Sequence, residues 1–385
     1  MLVAPLAARR PEDPTRLRIA MLTGAQAQDP DRGAGVHLDR LAFQLTRMGH
    51  SVELDARDPA PGLAMAASRI GRAQGPRHDI VHALSLRAGP MALRLQQSSG
   101  VPFVLSLNLH GAAPHWLRAS SGACIDADAP ALRTASRILA PSPQHSRQLE
   151  CLLRIAPERF HPALRGFAPE ELWPQPMAEA RVRLGLPQQR FLILHLGPIA
   201  PRKGIDTLIQ GIALLRRRHA VDAGLLVGGG AAGESVEPAR LAHIASELGV
   251  GAHVHFAGPQ PRASLRDYYA AANVFAATPW YEPFGLPPLE AMACARPVVA
   301  SELGGIGELV DDGRTGFLIP SRDPDALAER LARLHRHPQL AQAMGEAGRR
   351  RACEHHTWQR QAAQLLALYR DVLREVRQSA HSLAS

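Results

Sequence analysis

Residues 191–230 read FLILHLGPIAPRKGIDTLIQGIALLRRRHAVDAGLLVGGG, and the fold turns on how they are read. Phe191 to Gly197 is an apolar run with the character of a strand. A loop carrying Arg202 and Lys203 follows, then a stretch from Ile205 to His219 whose apolar residues recur at helical spacing. AGLLVGGG supplies a second strand. Strand, helix and strand in that order form a βαβ unit with parallel strands.

The same alternation extends in both directions. Upstream, Leu17 to Leu22 reads as a strand, followed by a glycine-bearing loop (Gly33, Ala34, Gly35). A helix comes next, with Leu38, Leu41, Ala42 and Leu45 on one face and Gly49 at its end, and then the strand SVELD. DIVHAL (79–84), a helix over 88–99, VPFVLSLNL (101–109) and SRILAPS (136–142) continue the pattern. Downstream come the helix EPARLAHIASELG, the strand HVHFAG (253–258), a short helix around 265–271 and a strand at 273–277. Helices over 324–335 and 358–378 close the chain. The pattern restarts after an irregular, proline-bearing linker near 165–178. This predicts an α/β protein of two parallel-sheet domains, 17–172 and 173–357, with residues 1–16 disordered. A cleft between the domains is the default ligand site.

Composition narrows the function. The chain has 385 residues, 46% apolar and 21% charged, with no apolar run long enough to span a bilayer. The opening MLVAPLAARRPEDP has apolar and basic residues in the wrong order for a signal peptide, so the chain reads as cytoplasmic. Its net charge of +9 invites a nucleic-acid partner. The basic residues are spread along the chain, however, aromatics are scarce, and no basic-aromatic motif occurs, so no nucleic acid is expected. A peripheral contact with anionic headgroups at the inner face of a membrane stays open. Four cysteines without a CxxC pair give neither a disulfide framework nor a zinc site. Cys353-Glu354-His355-His356 looks metal-like but has no second ligand cluster, and reads as a solvated helix start.

Familiar motifs fail on context. Gly228 to Gly233 has the letters GxGxxG, but the next helix begins only near Glu237 and no acidic residue ends the following strand, which argues against a dinucleotide. There is no GxSxG elbow, no P-loop and no HExxH. What remains is Lys203, the only lysine in the chain, beside Arg202 between a strand and a helix. Cations in that place can meet a diphosphate.

A second stretch, YEPFGLPPLEAMACARPVV (281–299), places a Pro/Gly turn and a short helix over Leu289 to Ala295 between two strands. Proline suits a first helical turn, and the free N–H groups there favour an anion. Glu282 precedes the turn and Glu290 lies just inside the helix. The two can flank one ligand, with backbone N–H groups of Phe284, Gly285 and Leu286 between them. A ligand part anion and part polyol, such as a nucleotide sugar, fits. An ordinary strand–turn–helix with surface glutamates fits the same letters. His110, at the carboxyl end of a strand, stands where ligands of parallel sheets bind, or is structural.

Five blocks in order resemble the retaining glycosyltransferases of family 4, the glycosyl transferases group 1. They are FLILHLGPIAPRKGIDTLIQGIALL, LLVGGG, VHFAGPQPRASLRDYYAAANVF, EPFGLPPLEAMACARPVVAS and GGIGELVDDGRTGFLIP. Weaker similarity covers the first half and the Trp358 tail. The resemblance implies a GT-B fold, two Rossmann-like domains facing across a cleft, with the helix 358–378 completing the first domain. It implies a nucleotide-sugar donor on the second domain and a sugar, lipid-linked or small-molecule acceptor on the first. By similarity Glu290 holds ribose hydroxyls and Glu282 the donor sugar. Arg202 and Lys203 neutralise the diphosphate, aided by backbone at Phe284, Gly285, Leu286 and Gly35. His110 lies near the reacting sugar. No metal and no cofactor are implied beyond the nucleotide sugar as co-substrate. The implied reaction is hexosyl transfer from a UDP- or GDP-sugar with retained configuration, serving polysaccharide, glycolipid or glycoside synthesis. A catalytically weak nucleotide-sugar binder and a sugar-nucleotide epimerase are the alternatives.

Four positions depart from the family pattern. Pro198 follows Gly197 where arginine is usual. Gly33-Ala34-Gly35 replaces an adjacent glycine pair. Arg165-Gly166-Phe167-Ala168 replaces Asn-Gly-Val-Asp, and Gly307 stands for proline. The first bears on donor affinity and the second on diphosphate contact, while the last two read as minor.

Overall fold

The structure, a computed structural model, describes residues 16–23, 33–55, 78–107, 129–230, 236–282 and 284–384. The chain divides into two compact units. One comprises Met1–Ala140, Ser146–His161 and Ala362–Ser385; the other comprises Pro141–His145 and Pro162–Gln361.

The first unit is built on a six-stranded sheet ordered β2-β1-β3-β4-β5-β6. Its strands are β1 (Arg18–Leu22), β2 (Ser51–Asp55), β3 (Ile80–Ala83), β4 (Phe103–Ser106), β5 (Arg137–Ala140) and β6 (Phe160–Pro162). Pairing from β2 through β5 is parallel. β3 and β4 are buried along their whole length, which is why they read as mainly apolar runs and not as alternating ones. The helix after β1 spans Gly33–Arg47, so Gly33, Ala34 and Gly35 lie in its first turn and not in a loop as expected. Glycine there was misread as loop punctuation. The last helix, Trp358–Ala384, is 27 residues long, several residues beyond the expected end. Ala362, Leu365, Leu366, Tyr369 and Val372 are buried at 3–4-residue spacing along it. Tyr369 is fully buried, and its hydroxyl bonds His82 Nδ1 at 2.7 Å; His82 Nε2 bonds Ser106 Oγ, also at 2.7 Å.

The second sheet is ordered β12-β11-β10-β7-β8-β9 and its pairs are parallel. Its strands are β7 (Phe191–Leu196), β8 (Ala223–Gly228), β9 (Val254–Gly258), β10 (Val274–Ala277), β11 (Val298–Ser301) and β12 (Gly316–Ile319). Counted from β7, this is the doubly wound order 3-2-1-4-5-6 of nucleotide-binding sheets. Side chains alternate between two cores: Ile193, Leu225 and Val227 face one, Leu192, Leu194 and Leu226 the other. The helix Ile205–His219 buries Ile205, Leu208, Ile209, Ile212 and Leu215, and carries Arg216, Arg217 and Arg218 in its last turn, where cations complement the helix dipole.

Two helices, Pro143–Leu153 and Pro338–His355, were not anticipated. Cys353 therefore lies at a helix end and not at a helix start. Arg165 carries more than its minor reading suggested. It is 4% exposed and donates to Gly305 O (2.6 Å), Pro141 O (3.2 Å) and the Glu308 carboxylate. Among the described residues no helix is long and apolar enough to cross a membrane.

Candidate functional site

β7 and β10 are neighbours, but the chain leaves β7 toward β8 on one side and β10 toward β11 on the other. Such a switch point opens a crevice beyond the carboxyl ends of the strands. The two loops that border it are 197–204 and 278–282, and they are fastened together. Trp280 N–H donates to Arg202 O (3.0 Å), the Trp280 indole to Pro201 O (3.1 Å), and Thr278 Oγ1 to Gly204 O (2.7 Å). Gly204 has φ +64°, and a Cβ there would stand 1.9 Å from Thr278 O. Gly204→Ala therefore forces the loops apart. It is expected to destabilise the second unit by about 2–4 kcal/mol, checked as a lower urea midpoint.

This fastening brings Lys203 to Glu282. Their side chains are 9% and 11% exposed, and Lys203 Nζ donates to Glu282 Oε2. Burial is the largest influence on the Glu282 carboxyl and pushes its pKa up. The charge and hydrogen bond of Lys203, helped by Arg202 and by Gly285 N–H, outweigh it and hold the pKa below its ordinary value. Gly285 N–H reaches Glu282 Oε1 at a long 3.4 Å. Lys203 and Glu282 border a small cleft shared with His195, Pro287, Pro288 and Ile306.

Gly285, at φ +70°, caps the helix Leu286–Ala293, which opens with Pro287 and Pro288 as the sequence suggested, though it starts earlier. Glu290 sits on this helix with partners of its own. Its Oε2 accepts from Tyr269 Oη at 2.8 Å and its Oε1 from Arg262 Nη1 at 3.4 Å; Arg262 Nε also donates to Glu171 at 3.0 Å. Burial first, then the charge of Glu290, raises the Tyr269 phenol well above its ordinary pKa, so it stays a donor. Glu290 is not among the residues bordering the Lys203 cleft. Phe284 is buried, and Leu286 begins the helix. Gly35 belongs to the first unit. His110 lies outside the described residues.

Sequence reasoning missed His195. It is the one polar side chain in the otherwise apolar β7, and that contrast was the available signal.

The family described as Glycosyl transferases group 1 matches residues 176–351, and that described as Glycosyl transferase 4-like domain matches residues 6–163. D-inositol 3-phosphate glycosyltransferase 1 of Catenulispora acidiphila is 30% identical over 412 aligned positions, covering 96% of this chain and 98% of the relative. D-inositol 3-phosphate glycosyltransferase of Mycolicibacterium paratuberculosis is 33% identical over 339 positions, 84% of this chain and 74% of the relative. Among solved structures, sucrose-phosphate synthase from Thermosynechococcus elongatus superposes with a TM-score of 0.79 at 24% identity, over 94% of this chain and 100% of that one. Anabaena Alr3699/HepE, solved with UDP and glucose, gives 0.77 at 22% identity, over 92% and 100%. At that identity the structural likeness shows the fold, which is GT-B.

Two parallel-sheet units of this kind, with that likeness, make the fold GT-B. The chain belongs to the glycosyl transferases group 1 family.

Proposed function

We propose that the protein moves a hexose from a UDP- or GDP-sugar to a hydroxyl acceptor with retained anomeric configuration. The observation that carries this reading is the Lys203–Glu282 pair, nearly buried at the switch point of the second sheet. A buried cation beside a buried carboxylate suits a diphosphate next to a polyol. Lys203, with Arg202, neutralises the departing diphosphate, and Glu282 accepts hydrogen bonds from sugar hydroxyls. Glu290 takes the ribose hydroxyls once Arg262 yields its long contact. In the transfer step the bond from the anomeric carbon to phosphate oxygen breaks and a bond to the acceptor oxygen forms on the same face. The acceptor proton passes to the departing phosphate oxygen. Neither glutamate is a nucleophile, so rate rests on orientation and charge placement. In this scheme Lys203, Arg202 and backbone N–H groups supply the positive field, and no cofactor enters besides the nucleotide sugar.

The Anabaena protein was solved with UDP and glucose and the relatives are named for D-inositol 3-phosphate, so UDP-glucose and that cyclitol phosphate are the first donor and acceptor to try. With a net charge of +9, attraction to anionic headgroups would bring the enzyme to the inner face of a membrane where the acceptor is lipid-linked. A thermal-unfolding screen with UDP-glucose, UDP-N-acetylglucosamine, UDP-galactose and GDP-mannose tests the donor. One of them is expected to stabilise the protein by about 2.7 kcal/mol at a hundredfold excess over Kd. If none raises the Tm, the reading fails.

A further inference from the structure

His195 is 2% exposed and borders the cleft that holds Lys203 and Glu282. Its Nδ1 lies 3.1 Å from the carbonyl oxygen of Ala276, which can only accept, so Nδ1 carries the ring proton. Nε2 is then a bare acceptor, and it is buried with no hydrogen-bond partner among the described residues. A buried acceptor left without a donor is destabilising, and such exceptions call for an explanation.

Gly197 shows what lies in front of it. A Cβ on this residue, at φ +145°, would stand 3.9 Å from His195 Nε2 and 4.0 Å from Lys203 Nζ, with nothing nearer. One atom fits this spot in ordinary contact with both an acceptor and a donor. A diphosphate oxygen suits only the lysine side: ionised, it has no hydrogen to give and would face the imidazole lone pair. A hydroxyl suits both, giving its hydrogen to Nε2 and accepting from an ammonium.

We propose that His195 is a specificity-determining residue whose Nε2 accepts a hydrogen bond from one hydroxyl of the donor sugar. The inference rests on the nucleotide-sugar reading above and goes beyond it, assigning a sugar contact to a strand residue at the base of the cleft. Burial pushes the imidazole down to about 4, so it keeps its acceptor at neutral pH.

Two substitutions separate this role from a packing role. His195→Phe keeps a ring against Phe275, now 6.4 Å away and near-parallel to the imidazole, but removes the acceptor. His195→Gln restores an acceptor at a similar reach. Binding of UDP and of UDP-glucose, and of GDP and GDP-mannose, is measured by calorimetry for the three proteins. The expected result is a roughly tenfold loss of sugar-nucleotide affinity in His195→Phe, an unchanged affinity for the free nucleotide, and substantial recovery in His195→Gln. Donor analogues lacking one hydroxyl at a time give a second readout. One of them should bind the parent protein about tenfold more weakly than the full sugar, and that difference should vanish in His195→Phe.

Equal weakening of nucleotide and nucleotide sugar, or no change in either, overturns the assignment while leaving the transferase reading intact. If the unsubstituted protein binds none of the nucleotide sugars, both fall. If His195→Phe does not fold, His195→Leu, which also lacks the acceptor, takes its place in both measurements. Sensitivity to no single hydroxyl in either protein overturns the proposal.

Discussion

Lys203→Ala is expected to lower kcat/KM by about 10²–10³, the range seen when one donor to developing oxyanion charge is removed. The same change should also weaken the fold. Lys203 and Glu282 are both nearly buried, and truncating one partner of such a pair typically costs about 3–5 kcal/mol because the other charge is left behind. The carboxyl has a way to relieve this cost. Without Lys203, burial dominates its surroundings and the Glu282 pKa rises, so the variant regains stability as the carboxyl takes up a proton at lower pH. A two-residue variant, Lys203→Met/Glu282→Gln, removes both charges at once. It should recover most of the urea midpoint and none of the activity. That contrast separates the catalytic loss from the folding loss. A folded Lys203→Ala protein with unchanged kcat/KM would remove the basis of the proposed mechanism.

Mild acid should destabilise both units together. His82 in the first unit and His195 in the second are buried, and burial lowers their pKa values to about 3 and about 4. In the unfolded chain each protonates near 6.5. Between 6.5 and the folded value the unfolded state binds the extra proton, so stability is complete above 6.5 and falls as the pH drops. The slope is about 1.4 kcal/mol per pH unit for each histidine, reaching on the order of 5 kcal/mol for His82 and 3 kcal/mol for His195. Glu282 acts in the same direction. Its lowered pKa supplies stability above the ordinary carboxylate value that is lost as the pH falls further. Urea midpoints at pH 7.5 and pH 5 should therefore differ clearly, with His82→Gln flattening the first unit's share. Equal midpoints would contradict the burial of these rings.

The parallel architecture was legible because β3, β4, β7, β8, β10 and β11 are buried along their whole length and so appear as mainly apolar runs without polar alternation. The site was legible only in part. Lys203 could be singled out as the only lysine, and Glu282 and Glu290 from the Pro/Gly turn between them. Their contacts could not, since Lys203 and Glu282 are 79 positions apart and meet only because Gly204 allows the backbone to pass Thr278. Glu290 looked like a partner of Glu282, yet Tyr269, a full 21 positions earlier, holds its carboxylate. Arg165 looked incidental because the groups it bonds, Pro141 and Gly305, are 24 and 140 positions away. The helices Pro143–Leu153 and Pro338–His355 went unassigned, although each opens with a proline that fits a first turn.

The first unit needs Leu365, Leu366, Tyr369 and Val372 from the last helix, although its sheet is laid down from residue 18 onward. During synthesis that sheet must wait for about 200 intervening residues, roughly 10–40 s at usual elongation rates, before the side chain that closes on His82 leaves the ribosome. The second unit is nearly continuous in sequence and meets no such delay. Birth order and completion order are thus reversed: the amino-terminal half is made first and finished last.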